Sequence, residues 1–293
     1  MMAARLILNA DDFGLTRGIN RAIAELHAAG ALTSATLMAN GPAFDDAVTI
    51  ALANPTLGVG CHIVLVDGKP LSPPETIPSL VGADGKNFRP NVTDFFLAAL
   101  RGKLSAGEIQ HEALTQIQKL QRTGINVTHV DTHKHTHVLP RIALPLLAAA
   151  ENAGVRAIRN PFEERWSLAL GNSPLITRLK LRILHSLRPR FFALPQIRDR
   201  RILTTDGTIG ISATGSLDAT TLRTFIDALP NGLWEMVCHP GYNDRELDAV
   251  TTRLRETRET EREALLTVFG SNSLNPSVPH LIHYAELTHS TNP

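Results

Sequence analysis

Residues 5–30 read RLILNADDFGLTRGINRAIAELHAAG, and the order of their patterns decides the fold class. The run RLILN over residues 5–9 is short and apolar, which predicts a strand. Ile19, Ile23 and Leu26 recur at helical spacing over residues 18–29, and Gly30 supplies a stop. The alternation continues along the chain. Strands are predicted over residues 33–39, 57–64, 126–132, 155–159 and 233–238. Helices are predicted over residues 44–53, 105–122, 140–153, 174–187, 218–229 and 244–268, the last as one long charged helix. Such alternation implies an α/β fold with a largely parallel sheet and helices around it. Residues 67–90, rich in Pro, Gly and Asp, are too long for an ordinary connector and are expected to form a functional loop.

The 293 residues, 43% of them hydrophobic, suffice for one large domain or two small ones. A charged fraction of 19% and a net charge of +1 exclude a disordered acidic protein and a bulk nucleic-acid binder. With 5% aromatic residues, stacking platforms for single strands are not expected. Cys61 and Cys238 are too few for a disulfide framework and suit a reducing compartment. The apolar stretch at residues 6–8 is too short for a signal core, and no run is long enough to span a bilayer. A soluble, cytoplasmic protein is expected. The basic segment over residues 178–201 reads as a solvated helix face and loop, with Arg178, Lys180, Arg182 and Arg188 near or on the outer face.

The chemistry-bearing residues gather at the C-terminal ends of predicted strands, the edge where parallel β/α folds bind ligands. Asp11 and Asp12 follow the first strand; His62, the set Asp131, His133, His135 and His137, and His239 end three others. Asp11 and Asp12 could form a helix-capping turn, or divide their work so that one carboxylate binds a cation and the other serves as a general base. Residues two apart share a face of a strand, so extended backbone would line up Asp131, His133, His135 and His137. An H-x-H pair supplies two ligands, or one ligand and one substrate contact. Alternation sends His62 and His239 to one face and the preceding Cys61 and Cys238 to the other. No C-x-x-C spacing supports a thiolate zinc site. Pro240 and Gly241 turn the chain sharply after His239, a placement that suits a fixed acid. One carboxylate with two imidazoles leaves coordination positions open for water on zinc, magnesium or manganese. No G-x-S-x-G, G-x-G-x-x-G or P-loop is present.

The segments LNADDFGL (8–15), GVGCH (58–62), HVDTHKHTH (129–137) and CHPGY (238–242) resemble the YdjC-like carbohydrate deacetylases, in order from about residue 5 to 245. LVDGKP (65–70) and PSLVGADGK (78–86) add to the likeness, whereas residues 175–201 match poorly and leave substrate choice open. The resemblance implies a distorted TIM-like (β/α) barrel as a single domain over residues 1–293, with its core over about 5–270 and a tail over about 271–293. It implies one divalent ion, Mg²⁺ or Zn²⁺, on Asp12, His62 and His133, with Asp11 as general base and His239 as the acid for the leaving amine. Arg159 would orient the base or bind substrate, and His135 and His137 would be substrate contacts or support them. The implied substrate is an N-acetylated sugar, oligosaccharide or glycolipid, without nucleic acid or stable membrane insertion, and the likeness allows a homodimer. Two other readings use the same residues: a metal-dependent phosphoesterase on a similar barrel, and a non-catalytic sugar-binding protein.

Overall fold

Strand β1 (Arg5–Phe13) is buried along its whole length after Arg5 and forms the axis of the sheet. The structure, a computed structural model, describes residues 4–171, 173–270 and 279–289. The first half continues with α1 (Arg17–Ala28), β2 (Ser34–Leu37), α2 (Phe44–Ala53), β3 (Gly58–Ile63), α3 (Val92–Leu100), α4 (Ala106–Arg122), β4 (Val130–Thr132) and α5 (Pro140–Asn152). Then follow α6 (Arg165–Leu170), α7 (Leu175–His185), α8 (Arg188–Phe192), α9 (Pro195–Arg198), β5 (Gly207–Ile209), α10 (Ala219–Asp227), β6 (Leu233–Cys238), α11 (Glu256–Phe269), β7 (His280–Leu281) and α12 (Ala285–His289).

The strands pair in parallel in the order β4-β3-β2-β1-β6-β5. β2 pairs with β1 only from Asn9 onward, and β7 pairs with β1 at Arg5 and Leu6. Isolated parallel bridges, Val130 to Ile158, Ala157 to Leu203 and Glu163 to Thr208, carry the curl from β4 back to β5. The result is a distorted β/α barrel. Parallel pairing puts the C-terminal ends of all these strands on one rim.

Most predicted elements form, and the departures have local causes. The expected strand over residues 155–159 makes bridges but no ladder: it is shared between Val130 and Leu203, and Pro161 soon ends it. The expected strand over 126–132 regularises only as β4. The helix expected over 244–268 is two pieces. A 3-10 turn at Arg245–Ala249 is followed by non-helical residues, and α11 begins only at Glu256. Val250, Thr251 and Thr252 are β-branched and disfavour helix there. α3 was not expected; Asn91 caps it, its Oδ1 accepting from the Asp94 N–H at 2.9 Å. Residues 67–90 are anchored rather than open, with Ile77, Leu80, Val81 and Phe88 buried and Glu112 of α4 accepting from the Leu71 and Ser72 N–H groups.

The largest correction concerns the histidine run. β4 stops at Thr132, and His133–Val138 form a kinked 3-10 segment in which Lys134 (φ 57°) and His135 (φ 51°) are left-handed. Period-two alignment is therefore lost. The Thr132 Oγ1 accepts from the His137 N–H at 3.2 Å and lies 2.6 Å from His137 Nδ1, closing the turn at the rim. Lys134 Nζ pairs with Asp67 at 2.5 Å on the opposite loop. Among the described residues, no helix is long and apolar enough to cross a membrane.

Below the rim, the His129 ring stacks on Tyr284 at 3.7 Å between centroids, tying residues that follow β7 into the barrel. This stack needs Gly60, where an added Cβ would lie 2.5 Å from His129 Cε1. Gly60→Ala is expected to destabilise the protein by about 1–3 kcal/mol, read as a lower urea midpoint at unchanged slope.

Candidate active site

The site begins with an irregularity in β1. In a regular strand Asp11 and Asp12 would point to opposite faces. The register slips between Ala10 and Phe13, and Asp12 has φ 67°, a left-handed conformation uncommon for a side-chain-bearing residue. Both carboxylates therefore approach His62, each in its own cluster: Asp12 with His62 and His133, and Asp11 with His62 and Asp131.

In the first cluster Asp12 Oδ1 lies 3.7 Å from His62 Nε2 and 3.5 Å from His133 Nδ1. The two imidazoles meet edge-on with centroids 5.5 Å apart. His133 is the open member, its side chain 19% exposed against 1% for His62. His62 Nδ1 is turned away and donates to Asp131 Oδ1 at 2.7 Å, which leaves Nε2 facing Asp12. Burial alone would lower the His62 pKa, but Asp131, Asp11 and Asp12 raise it to about 9.

The second cluster surrounds Arg159, which is fully buried. Its guanidinium forks onto Asp11, Nη1 to Oδ2 at 2.8 Å and Nη2 to Oδ1 at 2.6 Å. The same group reaches Asp131 Oδ2 at 2.5 Å and Glu235 Oε1 at 2.8 Å. Thr36 Oγ1 lies within 3.3 Å of Asp11 and Asp131. Burial would push the Asp11 carboxyl up, but Arg159, His62 and His239 hold it far below the usual carboxylate range, so it is ionised. His239, just past β6, places Nε2 3.8 Å from Asp11 Oδ2.

Asp11, Asp12, His62, His133, Arg159 and His239 are thus brought together at one rim. His137 is not at the surface of the site. It is fully buried, and its Nε2 lies 3.2 Å from the Arg159 carbonyl, so it supports that residue's backbone. His135 is half-buried; burial, then Arg159, lowers its pKa to about 3, and its Nδ1 has no hydrogen-bond partner. Cys61 and Cys238 are buried free thiols whose pKa values burial pushes well up, which suits packing rather than ligation.

The profile of the YdjC-like protein family matches residues 5–274. This chain belongs to the YdjC-like family. A carbohydrate deacetylase of Brevibacillus brevis is 31% identical over 97% of this chain and 99% of its own length. One from Clostridium beijerinckii is 31% identical over 83% of this chain and 84% of its own. A crystal structure from Enterococcus faecalis, described as a candidate cellobiose-phosphate cleavage protein, superposes with a TM-score of 0.75 at 24% identity, covering 97% of this chain and 99% of that one. That likeness shows a common fold.

In this YdjC-like chain two further residues shape the site, and both come from α11. Arg258 Nη2 donates to Asp12 Oδ2 at 2.6 Å, which fixes the carboxylate and leaves Oδ1 toward the histidines. Glu261 Oε2 accepts from the His239 N–H at 2.6 Å. Sequence reading missed both. The available signal was their spacing: Arg258 and Glu261 occupy the inward stripe continued by Leu265 and Val268, where charge is costly unless paired. Asp131, Glu235 and Tyr284, the other partners in the Arg159 network, were likewise not predicted in that role.

Removing the Arg159 charge strands Asp11, Asp131 and Glu235 without their shared cation. Arg159→Met is expected to cost about 3–5 kcal/mol of stability at neutral pH. The loss should shrink in mildly acidic buffer, because protonating those carboxylates relieves their repulsion. Urea unfolding at both conditions measures it.

Proposed function

We propose that this chain is a metal-dependent carbohydrate N-deacetylase, hydrolysing the acetamide of an N-acetylated sugar, oligosaccharide or glycolipid. The observation that carries this reading is the trio Asp12, His62 and His133 beside an ionised carboxylate, Asp11, that the trio does not use. The similarity to relatives named carbohydrate deacetylases supports the substrate class.

The donor set fits a divalent ion. Bonds of about 2.0–2.2 Å to imidazole nitrogen and carboxylate oxygen hold ligand atoms roughly 3–3.6 Å apart. Here Asp12 Oδ1 is 3.5 and 3.7 Å from the two histidines, and all three ligand atoms lie within 4.8 Å of one another. Asp12, His62 and His133 would hold the ion, with further positions open toward solvent at His133. A divalent ion there would polarise the acetyl carbonyl and acidify the attacking water.

That demand matches Asp11, a weak base because Arg159 holds its carboxylate so firmly ionised. Asp11 accepts the proton of the attacking water while Arg159 fixes its orientation. Water adds to the acyl carbon, the C–N bond breaks, and His239 delivers a proton to the departing amine. Glu261 holds the His239 backbone so that Nε2 stays directed at Asp11. His135, neutral and near Arg159 and Asp11, is assigned a contact to the sugar or support of the residues that make one.

Acetate release from diacetylchitobiose, N-acetylglucosamine and N-acetylglucosaminyl lipids, with Mg²⁺ or Zn²⁺ added, tests the activity. Asp11→Asn is expected to lower kcat by about 100- to 10,000-fold while the ion still binds, and His133→Ala to lose the ion. Ordinary turnover in the first variant, or full occupancy in the second, would overturn the roles. Hydrolysis of p-nitrophenyl phosphate without acetate release would replace the reaction.

Metal uptake should also release protons. With the His62 pKa raised to about 9, the ion-free site carries a proton on Nε2 that a ligand bond must displace. Apparent affinity should therefore climb by about tenfold per pH unit from neutrality toward that pKa. Calorimetry in buffers of different ionisation heat counts the proton; a pH-independent affinity contradicts the assignment of His62.

A further inference from the structure

Helix α7 differs from the other long helices of the fold. It buries none of its residues, whereas every other described helix of nine residues or more does. Its inner side rests on the protein through half-buried Leu181 and Leu184, with His185 Nδ1 3.2 Å from the Glu163 carbonyl. Its outer side carries Leu175, Ile176, Leu179 and Ile183, exposed by 82, 64, 59 and 61%. At about 100° per residue these four fall within one quadrant or so of the helix, and Lys180 and Arg182 border them on either side. The sequence-based expectation of a charged outer face is corrected here. The centre of that face is aliphatic, while Arg178 and Arg188 are half-buried and hydrogen-bonded to the Gly171 and Asp206 carbonyls.

Charge around the helix is one-sided. Residues 165–198 contain seven Lys and Arg and no Asp or Glu, in a chain whose net charge is only +1. Arg165, Lys180, Arg182 and Arg190 are exposed and make no ion pair among the described residues.

An exposed aliphatic stripe bordered by cations matches a surface that offers apolar depth beneath anionic groups. Nucleic acid would meet the cations but leave the stripe in water. A second copy meeting this face isologously would set Lys180 and Arg182 against themselves, with no acid to answer them. At about 1.5 Å per residue the helix is far too short to span a bilayer, so it would lie in the interface plane. It is also rooted at the rim that bears the site, because Ser173 just before it donates to the carbonyl of Ser212, which follows β5, at 2.6 Å.

We propose that α7 is a peripheral docking element for an anionic lipid surface, with Leu175, Ile176, Leu179 and Ile183 entering the interface and Lys180, Arg182 and Arg190 pairing with lipid phosphates. This holds whatever reaction the rim performs. The full chain would be sedimented with vesicles of phosphatidylcholine alone and of phosphatidylcholine mixed with phosphatidylglycerol. Binding to the mixed vesicles only, weakened by added salt, is expected. The pairs Leu179→Asp with Ile183→Asp, and Lys180→Glu with Arg182→Glu, should each lower partitioning by about tenfold or more. All four side chains are exposed, so thermal melting should stay as in the unaltered protein. The emission of Leu179→Trp should shift to the blue on mixed vesicles, an independent reading if a paired variant folds poorly. No binding of the unaltered protein to mixed vesicles, or binding by both paired variants as strong as that of the unaltered protein, would overturn the proposal. Vesicle-independent dimers abolished by Leu179→Asp would give the face to a second copy instead.

Discussion

The buried guanidinium of Arg159 is the interaction on which the rest of the barrel interior depends. Three carboxylates, from β1, β4 and β6, converge on it without access to bulk water. Such charges are tolerated only when each is paired and hydrogen-bonded. A planar fork of donors meets that requirement, and a lysine could not. Remaining carboxylate valences go to His62 Nδ1 on Asp131 and to the Tyr284 hydroxyl on Glu235. Arg159 also bonds through its backbone, its N–H to Val130 and its carbonyl to His137. One residue thus joins barrel closure to the state of the Asp11 carboxylate. That coupling ties the charge state of the rim to the packing of the barrel interior.

The rim above this network is set by two irregular backbones. Left-handed Asp12 turns a second carboxylate into the site, and left-handed Lys134 and His135 swing the chain off β4 so that His133 faces Asp12. Each is held from outside its own segment, Asp12 by Arg258 and Lys134 by Asp67. Strain concentrated where function needs an unusual side-chain direction is a common pattern in enzymes. Because Arg258 takes Oδ2, Asp12 presents a single oxygen to the histidines, while both oxygens of Asp11 are taken by Arg159.

α7 adds a second surface to the same end of the molecule. Its inner contacts are sparse and its outer face is aliphatic, so neither folding energy nor solubility explains its composition. The lack of acids over residues 165–198 points the same way, since elsewhere in the chain acids and bases are mixed.

By itself the sequence determined the class of the fold and which polar residues reach one rim. Apolar runs such as RLILN and helical spacing such as Ile19, Ile23 and Leu26 are local signals. In a parallel alternation they put Asp11, Asp12, His62, His133 and His239 on one rim without further information. Tertiary structure alone decided how those side chains are aimed. The left-handed turn at Asp12 and the kink that broke the expected row of histidines are held by partners distant in the chain, Arg258 being 246 residues from Asp12 and Asp67 reaching Lys134. Periodicity cannot register such pairs, because the energy that stabilises them exists only once separate elements have packed and excluded water.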